Sequence, residues 1–422
     1  MALSSAAYQR AVAAIDAVSW RGIMPGLERT RALLSALGNP QRGLRGVLVA
    51  GTNGKGSVCA LIDAVCRQAG LRTVLLTKPH LHSYCERIVR DGLAIPEDEF
   101  SDVVGAQVEA ARGLPDELQP TGFEMLTAAG ILVASRARAD VVVCEVGLGG
   151  RLDSTNVLDL GVAVLTNVAL DHQEYLGTTV AEIAREKAAI IKPGNDVVTA
   201  AQSPAYDVIR ARAGAVGATV THVDAEGRSR GRDGVDVTAQ FAGARISVHS
   251  SLLGRFQVSN VATAVAACEA LRRQGFTIAA PAVRGGCAEV RWPGRMQWID
   301  GAPPAIVDGA HNPAAMAALV RSLPDVAAGR RVVAVFAAMR NKDIASMAAR
   351  VNEATDDVIV TAPDVERAAP PQEVAACFAA ATVSSTTTDA LQLARRRAGA
   401  DGLVLVCGSL YLAAEALQAL GA

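Results

Sequence analysis

The sequence predicts an α/β protein with two domains, and three observations support this. Short apolar runs rich in valine alternate with amphipathic helical patterns along most of the 422 residues. Continuous apolar strands separated by helices are typical of parallel sheets that are covered on both faces. A glycine-rich turn joins the first such strand to a helix, and the chain is longer than one hydrophobic core usually organises.

Composition and charge exclude several functional classes. The 41 Lys and Arg residues balance 42 Asp and Glu residues, so the chain offers no basic field for nucleic acid. Arg10 and Asp16 interrupt the apolar N-terminal residues, which predicts an amphipathic helix and no signal peptide. No uncharged run approaches the length of about 18 residues that spans a bilayer. The eight cysteines form no CxxC pair, so we expect a cytoplasmic protein with reduced thiols and small-molecule partners.

The strand-like runs fall into two groups. The first contains GVLVAG, RTVLLT, DVVVCEVG, GVAVLTN and DVVTA, and the second contains RVVAVFAAM, DDVIVTAP and GLVLVCG. Between them, residues 235–250 alternate as in a hairpin that turns at Ala242 and Gly243. A long helical pattern follows, and the Trp-Pro-Gly sequence around Pro293 ends the first domain. We predict domains over 1–293 and 294–422, the first with a small antiparallel insertion and the second a smaller, Rossmann-like α/β unit.

The segment GTNGKGS has the layout of a phosphate-binding loop between a strand and a helix. Glycines let backbone N–H groups converge on phosphate oxygens, the helix N-terminus adds a partial positive charge, and Lys55 supplies a full one. The match to G-x-x-x-x-G-K-[ST] is imperfect because Gly56 separates Lys55 from Ser57, and a plain glycine-rich turn is the alternative. We expect the first domain to be a P-loop ATPase domain. The expected ATP-binding residues are Gly51, Thr52, Asn53, Gly54, Lys55, Gly56 and Ser57.

Three further strands place polar residues at the same sheet edge as this loop. Their ends read LLTKPHLHSYCERI, CEVGLGGRLDSTN and LTNVALDHQEYLG. Ligands of open α/β sheets bind at the carboxyl ends of the strands. A lone buried glutamate or strand-end histidine is more often structural, but four strand ends meet here. Glu145 and His172 are therefore predicted Mg²⁺ ligands, with the hydroxyl of Ser57.

The order of the motifs resembles that of folylpolyglutamate synthases and dihydrofolate synthases, a family of Mur-type amide ligases. The motifs are GLERTRALLSALGNPQ, AGTNGKGSV, KPHLHSYCERI, FEMLT, EVGLGGRLDSTN, TNVALDHQEYLG, AREKAAIIKPG, WPGRM, DGAHNP and CGSLYL. The resemblance implies that ATP phosphorylates a carboxylate and that the amine of L-glutamate attacks the acyl phosphate. It implies dihydropteroate or tetrahydrofolate glutamates as the acid, and a monomeric enzyme.

The resemblance also implies roles for individual residues. Asn260, Arg295 and Asp308 match nucleotide-binding positions, and His311 matches a position that faces the reaction site. Lys187 matches a lysine that many relatives carry as a carbamate, which would ligate a second Mg²⁺ with His172. The implied catalytic residues are Lys55, His172, Lys187 and His311. The implied acid-binding residues are Phe123, Arg151, Leu152 and Asp153, with the loop from Gly26 to Arg29.

Lys78 departs from the family pattern. Most relatives carry serine there, as a metal ligand, and an ammonium offers no lone pair to Mg²⁺. Three interpretations of this substitution are open. Lys78 contacts the γ-phosphate of the nucleotide, or its side chain points away and water fills the metal position, or the protein joins a different acid and amine. We therefore count Lys78 among the candidate substrate residues. A nucleotide-binding protein without catalysis is the alternative from a different functional class.

Overall fold

The computed structural model of the chain describes residues 4–20, 22, 24–355 and 357–422. The chain forms two compact units. The first unit contains Met1–Ala225, Thr238–Val248 and Ser259–Glu289, and the second contains Glu226–Val237, His249–Val258 and Val290–Ala422. A search of the described helices found none whose length and hydropathy would let it span a bilayer.

The first unit is built on an eight-stranded sheet with the order β4-β3-β2-β5-β1-β6-β7-β8. Strands β2, β5, β1, β6, β7 and β8 run parallel, and β3 and β4 form an antiparallel edge. The strands that the sequence predicts are confirmed, while the short β3, β4 and β8 lack a strand-like apolar run. The strands are β1 (Gly46–Ala50), β2 (Thr73–Leu76), β3 (Ile88–Arg90), β4 (Leu93–Ala94), β5 (Val141–Glu145), β6 (Gly161–Leu165), β7 (Asp196–Thr199) and β8 (Thr219–His222).

Helices connect these strands and bury their apolar sides. Many begin at side-chain caps, as at Thr121 and Thr179, which each form a capping box with a glutamate three residues on. The predicted N-terminal helix and the long helix after the insertion are confirmed. The helices before residue 290 in the described ranges are α1 (Ala6–Ser19), α2 (Glu28–Ala36), α3 (Lys55–Gln68), α4 (Glu97–Ala111), α5 (Gly122–Arg136), α6 (Gln173–Leu176), α7 (Val180–Ala188), α8 (Ala205–Ala215), α9 (Gln257–Arg273) and α10 (Ala280–Glu289).

Helix α3, which carries the end of the glycine-rich loop, is fixed by buried contacts along its length. All residues from Gly56 to Cys66 are buried. Helix α10 packs so closely against it that a Cβ at Gly286 would lie 2.5 Å from the backbone of Val65. The helix therefore presents its N-terminus at the carboxyl end of β1 from a rigid position.

The predicted hairpin is also confirmed, although it belongs to a larger sheet. Strands β10 (Val235–Phe241) and β11 (Ala244–Ser250) join at Ala242 and Gly243, which both have positive φ angles of 51° and 79°. A third strand, β9 (Glu226–Ser229), completes the order β11-β10-β9. Its sequence EGRS is polar and lacks alternation, so no pattern predicts it.

The second unit contains a six-stranded sheet with the order β12-β13-β17-β14-β15-β16, in which only β12 pairs in the antiparallel sense. The strands are β12 (Gln297–Ile299), β13 (Ala305–Val307), β14 (Val332–Phe336), β15 (Val358–Val360), β16 (Thr382–Val383) and β17 (Leu403–Cys407). Asn312 caps α11 and Pro313 occupies its first turn, as the sequence predicts. The helices are α11 (Pro313–Ala327), α12 (Ile344–Asn352), α13 (Pro371–Ala375), α14 (Thr387–Ala398) and α15 (Leu410–Leu420).

Candidate active site

The glycine-rich loop lies between β1 and α3, the two elements that the sequence predicts around it. Gly54 precedes α3 with a φ of 83°, and a Cβ there would lie 2.3 Å from Oδ1 of Asn260. At Gly51, with a φ of 148°, a Cβ would lie 1.9 Å from Oγ1 of Thr166. Any larger side chain at these two positions would therefore collide with the residues that surround the loop.

The residues that follow β6 hold this loop in place. The amide of Thr52 donates to the Asn167 carbonyl at 2.8 Å, and the amide of Asn53 donates to Oδ1 of Asn167 at 2.9 Å. Oγ1 of Thr166 donates to the Asn53 carbonyl at 2.6 Å. Sequence reasoning missed Thr166 and Asn167 as site residues. The signal was available, because two polar residues directly follow a strand that neighbours β1.

Two lysines converge on a single carbonyl of the loop. Nζ of Lys55 donates to Gly51 at 3.1 Å and to Thr52 at 3.0 Å, and Nζ of Lys187 donates to Gly51 at 2.9 Å. Lys187 is only 5% exposed. Burial, reinforced by the charge of Lys55, lowers the pKa of Lys187 to about 7. The Lys55 ammonium and the protonated form of Lys187 both place positive charge at the loop, which suits phosphate oxygens.

The expected metal ligands lie on α3, on β5 and at the start of α6. Ser57 is in the first turn of α3 and Glu145 ends β5, and both are buried. His172 is the N-cap residue of α6, with a φ of 50°, and its Nε2 lies 3.9 Å from Oδ1 of Asp171. Within residues 4–20, 22, 24–355 and 357–422, no group of three His, Cys, Asp or Glu side chains is placed to hold a metal. Mg²⁺ commonly uses only one or two protein oxygens together with substrate phosphates and waters, and the Ser57 hydroxyl and Glu145 carboxylate fit that kind of site.

The segment that the resemblance assigns to the acid substrate contains one buried and one exposed charged side chain, Asp153 and Arg151. Oδ2 of Asp153 accepts the amides of Gly147 and Leu148 at 3.1 and 2.8 Å, and Oδ1 accepts Oγ1 of Thr155 at 2.5 Å. Asp153 therefore holds its own loop together. Arg151, in contrast, is half-exposed and pairs with Glu186 at 2.9 Å.

Leu152 and the early loop complete this side of the first unit. Leu152 is 37% exposed, which leaves an apolar side chain open to a ligand. Arg29 is buried and forms an ion pair with Glu124 at 3.0 Å, next to Phe123 in the first turn of α5. Nζ of Lys78 lies 4.3 Å from the centroid of the Phe123 ring. The structure thus brings Phe123 and Lys78 together at the start of α5.

The second unit groups the residues of the WPGRM and DGAHNP motifs. Asp308 is buried and accepts the amides of Met296 and Ala310, both at 2.7 Å. Burial raises the pKa of the Asp308 carboxyl above its usual range, and the charge of Arg295 opposes that rise. Nδ1 of His311 lies 2.9 Å from the Gly309 carbonyl. These contacts fix the two motifs against each other within the second unit.

Two family models match the chain. The Mur ligase middle domain matches residues 49–268, and the glutamate ligase domain of Mur ligases matches residues 294–410. The fold and the loop therefore define a Mur-type ligase. The dihydrofolate synthase/folylpolyglutamate synthase of Bacillus subtilis is 32% identical over 418 residues, which cover 95% of this chain and 97% of that protein. The chain belongs to the folylpolyglutamate synthase/dihydrofolate synthase family, whose members are ATP-dependent ligases.

Other relatives and solved structures agree. The "probable bifunctional folylpolyglutamate synthase/dihydropteroate synthase" of Haloferax volcanii is 36% identical over 410 residues. The match covers 93% of this chain but only 48% of that protein, so this chain spans about half the length of that relative. Mycobacterium tuberculosis folylpolyglutamate synthase complexed with ADP has a TM-score of 0.91 at 30% identity and covers 99% of both chains. A bifunctional folylpolyglutamate synthase/dihydrofolate synthase with Mn, AMPPNP and L-glutamate bound has a TM-score of 0.86 at 31% identity and covers 98% of both.

Proposed function

We propose that the chain is an ADP-forming ligase that adds L-glutamate to dihydropteroate, to tetrahydrofolate glutamates, or to both. The observation that carries this proposal is the pair of lysines on the Gly51 carbonyl, in a loop where Gly51 and Gly54 have no room for a side chain. The family supplies the identity of the substrates, since its relatives are named for these two reactions. ATP would phosphorylate the acid, and the glutamate amine would displace phosphate from the acyl phosphate.

In this proposal the first unit binds the phosphates of ATP. Backbone amides of residues 51–57 and the Lys55 ammonium would hold the phosphate oxygens, because charge on the transferring phosphoryl group must be balanced by fixed cations. Asn260 supports the loop through its approach to Gly54. Arg295 and Asp308 remain proposed nucleotide-binding residues on the strength of the family motifs. His311 remains a proposed catalytic residue, and its contact with Gly309 orients the imidazole ring.

Ser57 and Glu145 would hold a divalent metal with the phosphates, and we propose Mg²⁺. When bound, this ion would neutralise charge that develops on the transferring phosphoryl group. His172 remains a proposed Mg²⁺ ligand with Glu145 and Ser57, and a carbamate on Lys187 would add a second metal position beside His172. Carbamylation requires a neutral amine, and a pKa of about 7 makes the neutral form of Lys187 abundant near neutral pH.

Phe123, Arg151 and Leu152 are proposed to contact the acid substrate, and Asp153 to hold the loop that carries two of them. We propose domain limits of 1–293 and 294–422, which enclose the two matched ranges. All eight cysteines are free and seven are buried, which supports a reducing, cytoplasmic environment. We propose that the protein is a monomer with small-molecule partners and binds neither nucleic acid nor a membrane.

The test is ADP release by the purified protein with Mg-ATP and L-glutamate. One reaction contains dihydropteroate and another contains tetrahydrofolate, and the products are analysed by mass spectrometry. We expect the mass of one added glutamate on at least one acceptor, and ADP release that depends on both the acid and the amine. ATP binding without product on either acceptor would instead favour a different acid substrate or a non-catalytic nucleotide-binding protein.

A further inference from the structure

Lys78 carries a buried ammonium group to which the protein gives no hydrogen-bond acceptor. Within the described ranges, five buried side-chain nitrogen or oxygen atoms lack a hydrogen-bond partner, and Nζ of Lys78 is the only charged one. Nζ of Lys78 lies over the face of the Phe123 ring, 4.3 Å from the ring centroid. A ring face attracts a cation, but it replaces neither the hydration shell nor the hydrogen bonds that a buried ammonium loses.

The other lysines of the first unit donate hydrogen bonds to protein acceptors. Only five of the 41 basic residues are lysines. Lys55 and Lys187 donate to the Gly51 carbonyl, and Lys192 donates to Oδ1 of Asn156 at 3.0 Å. Lys78 does not join the pair on the phosphate loop. Its side chain lies against α5, so its charge serves a different part of the site.

The protein cannot easily supply the missing acceptor itself. The backbone amide of Lys78 donates to Oε2 of Glu145 at 3.1 Å, which fixes the start of the side chain. Asp153 lies close to the Phe123 ring, because a Cβ at Gly147 would be 2.5 Å from the ring and 2.9 Å from Oδ2 of Asp153. Both Asp153 oxygens are already used by amides of their own loop. Asp153 therefore has no oxygen left for Lys78, and Glu145 accepts the backbone amide of Lys78 but no hydrogen bond from its Nζ, so a ligand can supply the anionic oxygen.

We propose that Lys78 is a specificity-determining residue that binds a carboxylate oxygen of the acceptor acid, with the Phe123 ring beneath its ammonium group. The inference rests on the proposed ligase function, because it identifies the ligand as the acid that is to be phosphorylated. The nucleotide is the other source of anionic oxygens. The two lysines on the Gly51 carbonyl already serve the phosphate loop, whereas Lys78 makes no hydrogen bond to that loop and lies over the Phe123 ring.

Dihydropteroate is a suitable probe because it carries a single carboxylate. We would measure its binding by calorimetry in the presence of AMPPNP, using the wild type, Lys78→Met and Arg210→Met. Arg210 lies on the exposed side of α8, so its variant removes one positive charge away from the site. We expect Lys78→Met to weaken dihydropteroate binding by about ten- to hundredfold, since a charge-assisted hydrogen bond is lost. Arg210→Met should bind as the wild type does.

The carboxamide of dihydropteroate separates charge recognition from packing. The wild type should bind this neutral analogue about ten- to hundredfold more weakly than dihydropteroate, whereas Lys78→Met should bind both equally. In steady-state assays the KM for dihydropteroate should rise in Lys78→Met while the KM for ATP stays within about twofold. Thermal stability should not fall, because the methionine removes no hydrogen bond made by the ammonium.

Equal dihydropteroate affinity in the wild type and Lys78→Met would overturn the proposal. So would a raised KM for ATP with an unchanged KM for the acid, which would place Lys78 at the nucleotide. Absence of ligated product from the wild type would refute the proposed function instead. The binding comparison needs no turnover, so the two failures are distinguishable. If the wild type binds tetrahydrofolate but not dihydropteroate, the comparison is made with tetrahydrofolate, and equal affinity of the wild type and Lys78→Met for that acid would overturn the proposal.

Discussion

Replacing Lys187 by methionine is expected to stabilise the protein near neutral pH and to abolish its ligase activity. Lys187 is 5% exposed, and burial with the nearby charge of Lys55 lowers its pKa from 10.5 to about 7. That difference corresponds to roughly 5 kcal/mol in favour of the unfolded chain wherever the lysine is protonated in both states. The variant also loses the hydrogen bond to the Gly51 carbonyl, which contributes about 1 kcal/mol. We therefore expect a net gain of roughly 3 to 4 kcal/mol below pH 7.

The gain should depend on pH in a defined direction. As the pH falls from 10.5 towards 7, the unfolded chain protonates Lys187 while the folded protein keeps it neutral, so the wild type loses stability. Below about pH 7 both states are protonated and the loss is complete. The advantage of Lys187→Met should therefore be largest below pH 7 and shrink to about 1 kcal/mol at pH 9.

Urea unfolding at pH 6.5 and at pH 9 would measure this effect for the wild type, Lys187→Met and Lys342→Met. Lys342 is partly exposed, so its variant should stay within about 0.5 kcal/mol of the wild type at both pH values. A Lys187→Met protein that is no more stable at pH 6.5, or whose advantage does not shrink at pH 9, would refute the view that Lys187 is a buried and destabilising cation. Assays of ADP release on the same samples would show whether the loss of activity accompanies the gain in stability.

Four further outcomes are expected. Lys55→Ala should abolish ATP turnover without loss of helical circular dichroism, because Nζ of Lys55 donates to the Gly51 and Thr52 carbonyls of its own loop. Gly51→Ala should weaken AMPPNP binding at least tenfold by calorimetry, since its Cβ would overlap Oγ1 of Thr166. Glu124→Gln should lower the free energy of unfolding by about 3 kcal/mol in urea titrations, because it breaks the buried pair with Arg29. Chelation with EDTA should stop ADP release, and added Mg²⁺ should restore it.

Much of the framework of the site could be predicted from the sequence. The apolar runs mark β1, β2, β5 and β6, and the parallel order of these strands places their ends together. Asn312 and Pro313 mark the start of α11 because their local chemistry is sufficient to begin a helix. These features depend on residues close in the chain, or on a periodicity that repeats along it.

The environment of single side chains could not be predicted in the same way. Lys187 reads as an ordinary charge near the end of a helix, yet the fold buries it against a loop that is 136 residues away. The resemblance assigns Asp153 to the acid substrate, and the fold adds four hydrogen bonds to amides and a hydroxyl of its own loop that no sequence pattern predicts. Such contacts depend on which distant segments meet, and neither propensity nor spacing contains that information.

The choice of lysine over arginine at the loop has a physical consequence. Only five of the 41 basic residues are lysines, and an arginine at position 187 would stay charged at every relevant pH. A lysine there can exist in either form near neutral pH. Phosphate oxygens beside it would raise its pKa and favour the ammonium, whereas carbamylation would draw on the neutral amine. The ammonium and the carbamate of Lys187 are therefore mutually exclusive, because one requires the protonated amine and the other is formed from the neutral amine. A ligand that occupies the loop shifts the balance between them.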